Sequence, residues 1–156
     1  MTKIVRANPA SEHARAMAGA LWDEIQRRYG FTADDPYDPT AYTEPVGAFW
    51  LAMDDDRAVG SVALSSIDQN DAELDVMYVA SDYRRRGVAR ALLSALEEHA
   101  RAAGISWVLL RSGDTQPEAM RFYADEGFTP IPPFGKWVGD DTARCLAKAL
   151  RAQRTP

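Results

Sequence analysis

The spacing of apolar residues changes period several times along the chain, and each change marks a predicted element. Lys3–Ala7 reads as a short opening strand. A helix follows, running to about Arg28, because Met17, Leu21 and Ile25 recur every fourth residue with Ala14, Ala18 and Trp22 beside them. Asn8-Pro9 and Ser11 offer alternative caps for its start, and Gly30 a stop. Gly47–Met53 and Arg57–Ile67 are strand-like runs joined by Asp54-Asp55-Asp56, which reads as a solvated hairpin turn. Asp68–Asp71 is a second turn cluster, and Ala72–Val79 a third strand. That strand alternates at first and then becomes continuously apolar at Val76–Val79. The loss of alternation is compatible with a bulge.

From Val88 the period becomes helical, with Val88, Ala91, Leu92, Ala95, Leu96 and His99 on one face. Glu97 and Arg101 lie four apart and are expected on the outer face; Gly104 ends the helix. Ser106–Leu110 reads as a buried strand and Arg111–Asp114 as a loop. A short helix is then predicted with a capping box of Thr115 and Glu118, Pro117 in its first turn, Ala119, Phe122 and Tyr123 facing inward, and a stop at Gly127. Phe128–Ile131 is a strand, followed by a proline-stiffened connection. Thr142–Leu150 alternates around Ala143, Cys145 and Ala147, which favours a strand over the competing helical reading. Arg151–Pro156 reads as a frayed tail. Phe31–Pro45, with three prolines, three aspartates and two tyrosines, is expected to be a long loop or short-helix insertion shaping a binding site. A meander feeding a strand–helix–strand crossover implies a mixed sheet with helices on its faces.

With 156 residues, the chain is expected to be one domain, residues 1–156. Hydrophobic residues make up 46% and charged residues 26%, too apolar for disorder. The net charge of −5 argues against a general nucleic-acid binder, which would carry a basic footprint. Cys145 is the single cysteine and the two histidines, His13 and His99, are far apart, so no disulfide and no metal site are expected. Cys145 and both histidines read as packing or surface residues. Met1–Ala10 lacks an apolar signal core, and the longest apolar run, Ala48–Met53, is far short of the ~20 residues of a spanning helix. Cytoplasm is the expected location, with no membrane partner.

Averaged charge conceals one local feature. In Val79-Ala80-Ser81-Asp82-Tyr83-Arg84-Arg85-Arg86-Gly87-Val88-Ala89-Arg90, a strand ends, a basic loop follows and a helix opens. The first turn of a helix offers unpaired N–H donors and the positive end of the macrodipole. Gly87 and Ala89 lack bulk, so a phosphate can approach the backbone, and the arginines add charged donors. The competing reading is a solvated arginine run beside an ordinary glycine turn. Neither a P-loop nor a dinucleotide-binding glycine motif is present.

Arg84-x-x-Gly87-x-Ala89, after an apolar strand and before a Leu-rich helix, resembles the acyl-CoA pyrophosphate motif of the GNAT N-acetyltransferases. Gln116-Pro117-Glu118-Ala119 with Phe122-Tyr123 and Gly127-Phe128 resembles that family's later helix and strand. Phe134-Gly135 and Arg144-Cys145-Leu146 are similar to its last strands, so the likeness spans about Val46–Lys148. It implies a mixed α/β (α+β) fold, a mostly antiparallel twisted sheet of about six to seven strands flanked by about three to four helices. It implies acetyl-CoA as cosubstrate, with Met77, Tyr78 and Val79 pairing with the pantetheine arm. The backbone of Arg85, Arg86, Gly87, Val88, Ala89 and Arg90 would hold the pyrophosphate, assisted by the Arg84–Arg86 side chains.

The resemblance further implies Tyr123 as the acid that protonates the departing thiolate and Glu73 as the base, with Asp75 as the alternative base. The expected reaction is acetyl transfer to a primary amine of a small molecule by direct attack. An acyl-CoA-binding regulatory module and a protein N-terminal or lysine acetyltransferase remain the alternatives, and the resemblance also allows a homodimer. For the acceptor, Asp34, Asp35, Asp38 and Glu44 suit a cationic amine, whereas Arg111 suits an acceptor carboxylate; Trp22, Tyr29, Trp50 and Trp137 are candidate walls.

Overall fold

In the computed structural model, which describes residues 2–113 and 116–150, three antiparallel pairings build the first half of the sheet. β1 (Lys3–Ala7), β2 (Ala48–Asp54), β3 (Arg57–Ser66) and β4 (Asp71–Val79) lie in that order. β4 pairs in parallel with β5 (Trp107–Gly113), and β7 (Ala143–Ala149) inserts antiparallel between β5 and β6 (Thr129–Ile131). The result is a seven-stranded sheet of order β1-β2-β3-β4-β5-β7-β6. Both polar clusters act as turns: Asp55 takes a positive φ of 50° between β2 and β3, and the Asp68 carboxylate accepts from the Asn70 and Asp71 amides.

Helix α1 (Glu12–Tyr29) is capped by the Ser11 hydroxyl, which accepts from the Ala14 amide, and ends on Gly30. It covers one sheet face, where Ala14 and Met17 pack with Phe49, Leu51 and Ala63. α2 (Val88–Ala102) covers the other, burying Leu92, Leu93 and Leu96 against Trp50, Val62 and Leu64. Each such leucine contributes about 1.5–3 kcal/mol. β2 is therefore buried on both faces, which is why it reads as an apolar run rather than an alternation. α3 (Pro117–Asp125) adds Tyr123, with Phe128 beyond its end, to the α2-side core.

Three expectations need correction. Glu97 is buried, because Lys148 of β7 reaches it at 2.9 Å while Arg101 binds its other oxygen at 3.3 Å. Residues 111–113 are strand, since β7 pairs with β5 as far as Gly113↔Ala143. The N-cap of α3 is Gln116, with no side-chain cap bond; Thr115, on which the predicted capping box rests, lies outside the described residues, as do Asp114 and the tail from Arg151. Finally, the outer part of the α1 stripe, Leu21 and Ile25, leaves the core and lines a cleft.

Candidate active site

The cleft opens where the sheet splits. β4 and β5 pair only over Asp71↔Trp107, Ala72↔Val108 and Glu73↔Leu109. Beyond Glu73 the β3–β4 register shifts between Ser61↔Tyr78 and Ala63↔Asp75, leaving an extra residue on β4. Val76 takes φ 54°, rare for a β-branched residue, and its carbonyl accepts from the buried Ser61 hydroxyl at 2.7 Å. The bulge bends β4 away from β5. Its pleated outer segment, Met77–Val79, faces a cavity of about 1760 Å³.

At one end of this cavity lies the basic turn. Arg85 and Gly87 have positive φ values of 64° and 79°, so the chain coils tightly before α2. No side chain caps the first turn of α2. That leaves its amide donors and dipole for a ligand, the arrangement a phosphate needs. The arginines divide their work. Arg84 donates Nε to the Val79 carbonyl and Nη2 to Glu24 of α1, both at 2.8 Å, so it clamps the end of β4 against the helix. Arg90 pairs with Glu126 beyond α3 at 3.2 Å. The Arg86 guanidinium lies over the Tyr83 ring at 5.0 Å, and Arg86 is absent from the described cavity lining; Arg85 is part of it. Tyr83 in turn donates to Asp54, and Asp82 pairs with Arg57, anchoring the turn from behind.

At the split itself stand the acid–base candidates. Tyr123 is buried, with Phe122 and Phe128 edge-on to its ring. Burial, with the Asp75 charge adding to it, holds its phenol above the ordinary range, so it keeps its proton. Glu73 and Asp75 lie two apart on β4 and share a face. Trp137 Nε1 donates to Glu73 at 3.4 Å. Asp75 is approached by the Ser65 hydroxyl at 3.4 Å and the Tyr42 hydroxyl at 3.5 Å. Burial, then the Glu73 charge and a hydrogen bond to it, push the Asp75 carboxyl up to about 7, while Lys136 and Ser65 oppose the rise.

Glu73, Met77–Val79, Arg84, Arg85, Gly87–Arg90 and Tyr123 all line this one cavity. Of the acceptor candidates, Asp35, Asp38, Trp22, Tyr29, Trp137 and Arg111 line it too. Glu44 instead pairs with Arg6, and Trp50 is core. Sequence reasoning missed Tyr42, Ser65 and Lys136. Tyr42 sits in the irregular segment, stacked on Tyr37 and edge-on to Phe49, and only the folded loop brings its hydroxyl to Asp75. The histidines stay outside the site: His99 binds the Val46 carbonyl at 2.9 Å against Trp50, and His13 is exposed. Among the described residues no cluster suits a metal ion, and no helix is long and apolar enough to cross a membrane.

A split parallel strand pair and an uncapped helix start after a basic turn thus share one cavity with Tyr123, Glu73 and Asp75. Residues 16–128 match the Acetyltransferase (GNAT) family, and the chain belongs to that family of acetyl-CoA-dependent acetyltransferases. An IAA acetyltransferase of Azospirillum brasilense is 32% identical over 148 residues, covering 94% of this chain and 97% of that protein. Human N-acetyltransferase 8 is 33% identical over 91 residues, covering 55% of this chain, which spans only 40% of that protein. The fold is shared with a GNAT-family acetyltransferase of Staphylococcus aureus Mu50 (TM-score 0.81, 21% identity, 97% of this chain and 100% of that one). It is also shared with the PaiA N-acetyltransferase of Thermoplasma acidophilum, solved with coenzyme A (TM-score 0.76, 17% identity, 96% and 99% coverage).

Proposed function

We propose that the protein transfers the acetyl group of acetyl-CoA to a primary amine of a small molecule by direct attack of the amine on the thioester. The carrying observation is the placement of Tyr123 and the Glu73–Asp75 pair in one cavity with the bulged strand and the uncapped start of α2. The residues fit the cosubstrate: the amides of the turn through Arg90 suit its pyrophosphate, and the freed backbone of Met77–Val79 suits its pantetheine amides. When bound, it supplies an activated acetyl carbon.

An alkylamine arrives as ammonium and must lose a proton before it attacks. A carboxyl poised near 7 accepts that proton better than one of ordinary acidity, because base efficiency peaks when the pKa lies near the working pH. This supports Asp75 as the base, with Glu73 beside it on the same face of β4. Tyr123 holds the proton that the leaving thiolate requires. Arg84 and the bulge position these groups without touching the reacting atoms.

Thiol release from acetyl-CoA across an amine panel tests the reading. The expected result is amine-dependent release that falls about 100-fold in Tyr123→Phe with acetyl-CoA binding retained. Equal turnover in variant and wild type would remove the acid role. Binding without turnover of any amine would favour the regulatory-module alternative.

A further inference from the structure

We propose that the acceptor is an amino acid or a close relative, an amine carrying a carboxylate, with Arg111 and Lys136 receiving the carboxylate and Glu73–Asp75 facing the amine. This rests on the amine-acetylation reading above and names the acceptor class for the same site. Glu73↔Leu109 is the last β4–β5 pair, so an unbroken ladder would set Asp75 opposite Arg111. The bulge prevents this, and Asp75 and Arg111 make no ion pair with each other. Asp75 turns to Ser65 and Tyr42, whereas Arg111 Nη2 turns to Asp140 and Thr142, both at 3.2 Å.

Two features show that the cationic groups are not fully satisfied by the protein. Arg111 Nε is buried and has no hydrogen-bond partner, at a position where an unmet donor is costly. Lys136 makes no ion pair among the described residues; its ammonium lies 4.8 Å from the Trp137 ring centroid, as does the Arg111 guanidinium. Trp137 thus carries two cations while its own Nε1 binds Glu73, placing the acidic and basic groups around one indole. A purely cationic acceptor would meet two like charges here. A zwitterion meets a complementary charge at each end.

The test measures kcat/KM for the proteinogenic amino acids, each paired with its decarboxylated amine, in wild type, Arg111→Gln and Arg111→Lys. Binding of the same compounds to the CoA-saturated protein is followed in parallel by calorimetry. At least one amino acid is expected to exceed its decarboxylated partner by about 10- to 100-fold. Arg111→Gln is expected to erase that ratio and Arg111→Lys to restore part of it. A purely structural arginine would lower both members of a pair equally, which would overturn the assignment.

Decarboxylated amines turned over as well as or better than their partners would also overturn it, while leaving the acetyltransferase reading intact. The wild-type comparison decides this even if the variants fail to fold. Absence of acetyl-CoA binding would instead overturn the underlying function, and the acceptor class with it.

Discussion

Asp75→Asn should make the protein more stable and a poorer catalyst, and the stability gain should depend on pH. An aspartate in water titrates near 3.9, whereas burial and the Glu73 carboxylate push Asp75 up to about 7. Between those values the folded protein holds a proton that the unfolded chain has released. Stability from this source is therefore fully present below about pH 4 and is lost as pH rises through about 7. The displacement from about 3.9 to about 7 corresponds to about 4 kcal/mol, and water in the open cleft screens it to about 1–3 kcal/mol. Asparagine keeps the shape and still accepts from Tyr42 and Ser65, but carries no charge to repel Glu73. Urea or thermal melts of both proteins at pH 5 and pH 8 measure the effect. At pH 8 the variant should melt higher by about 3–10 °C, and at pH 5 the difference should fall to about a third of that. A variant less stable at pH 8, or offset equally at both values, would refute the argument that burial and the Glu73 charge raise the Asp75 carboxyl in the cleft.

Three further outcomes follow from the same geometry. Tyr123→Phe should lower kcat about 100-fold and leave the KM for acetyl-CoA nearly unchanged, read by steady-state thiol release. Gly87→Val places a β-branched residue at φ 79°, which costs about 2 kcal/mol and misaligns the start of α2; the KM for acetyl-CoA should rise at least about 10-fold in the same assay. Lys148→Met leaves the buried Glu97 with only Arg101 and should destabilise by about 2 kcal/mol in urea melts, while Glu97→Leu combined with Lys148→Met should recover most of the loss.

The order of elements was legible because each depends on local signals. Ser11 and Gly30 bound α1, the aspartate clusters make the meander's turns, and the Arg84–Ala89 segment marks the opening of α2. What escaped the sequence depends on distant partners. Glu97 follows the helical pattern of an exposed residue, and Lys148 from distant β7 joins Arg101 to make its burial tolerable. Leu21 and Ile25 have the spacing of core residues, yet they face the cavity because the sheet beneath them has split. The bulge left a trace in the apolar run Val76–Val79, but its anchor, the Ser61 hydroxyl, lies fifteen residues away. The base illustrates the same limit. Glu73 and Asp75 are equivalent by spacing, and Tyr42, Ser65 and Trp137 distinguish them only after folding.

The central claim is that the split between β4 and β5, with the uncapped start of α2, holds acetyl-CoA. Isothermal titration of acetyl-CoA into the wild-type protein and into Gly87→Val tests it most directly. The account predicts saturable binding at one site per chain in the wild type, weakened at least about 10-fold in the variant. No binding to the wild type at millimolar acetyl-CoA, or equal binding by both proteins, would contradict it.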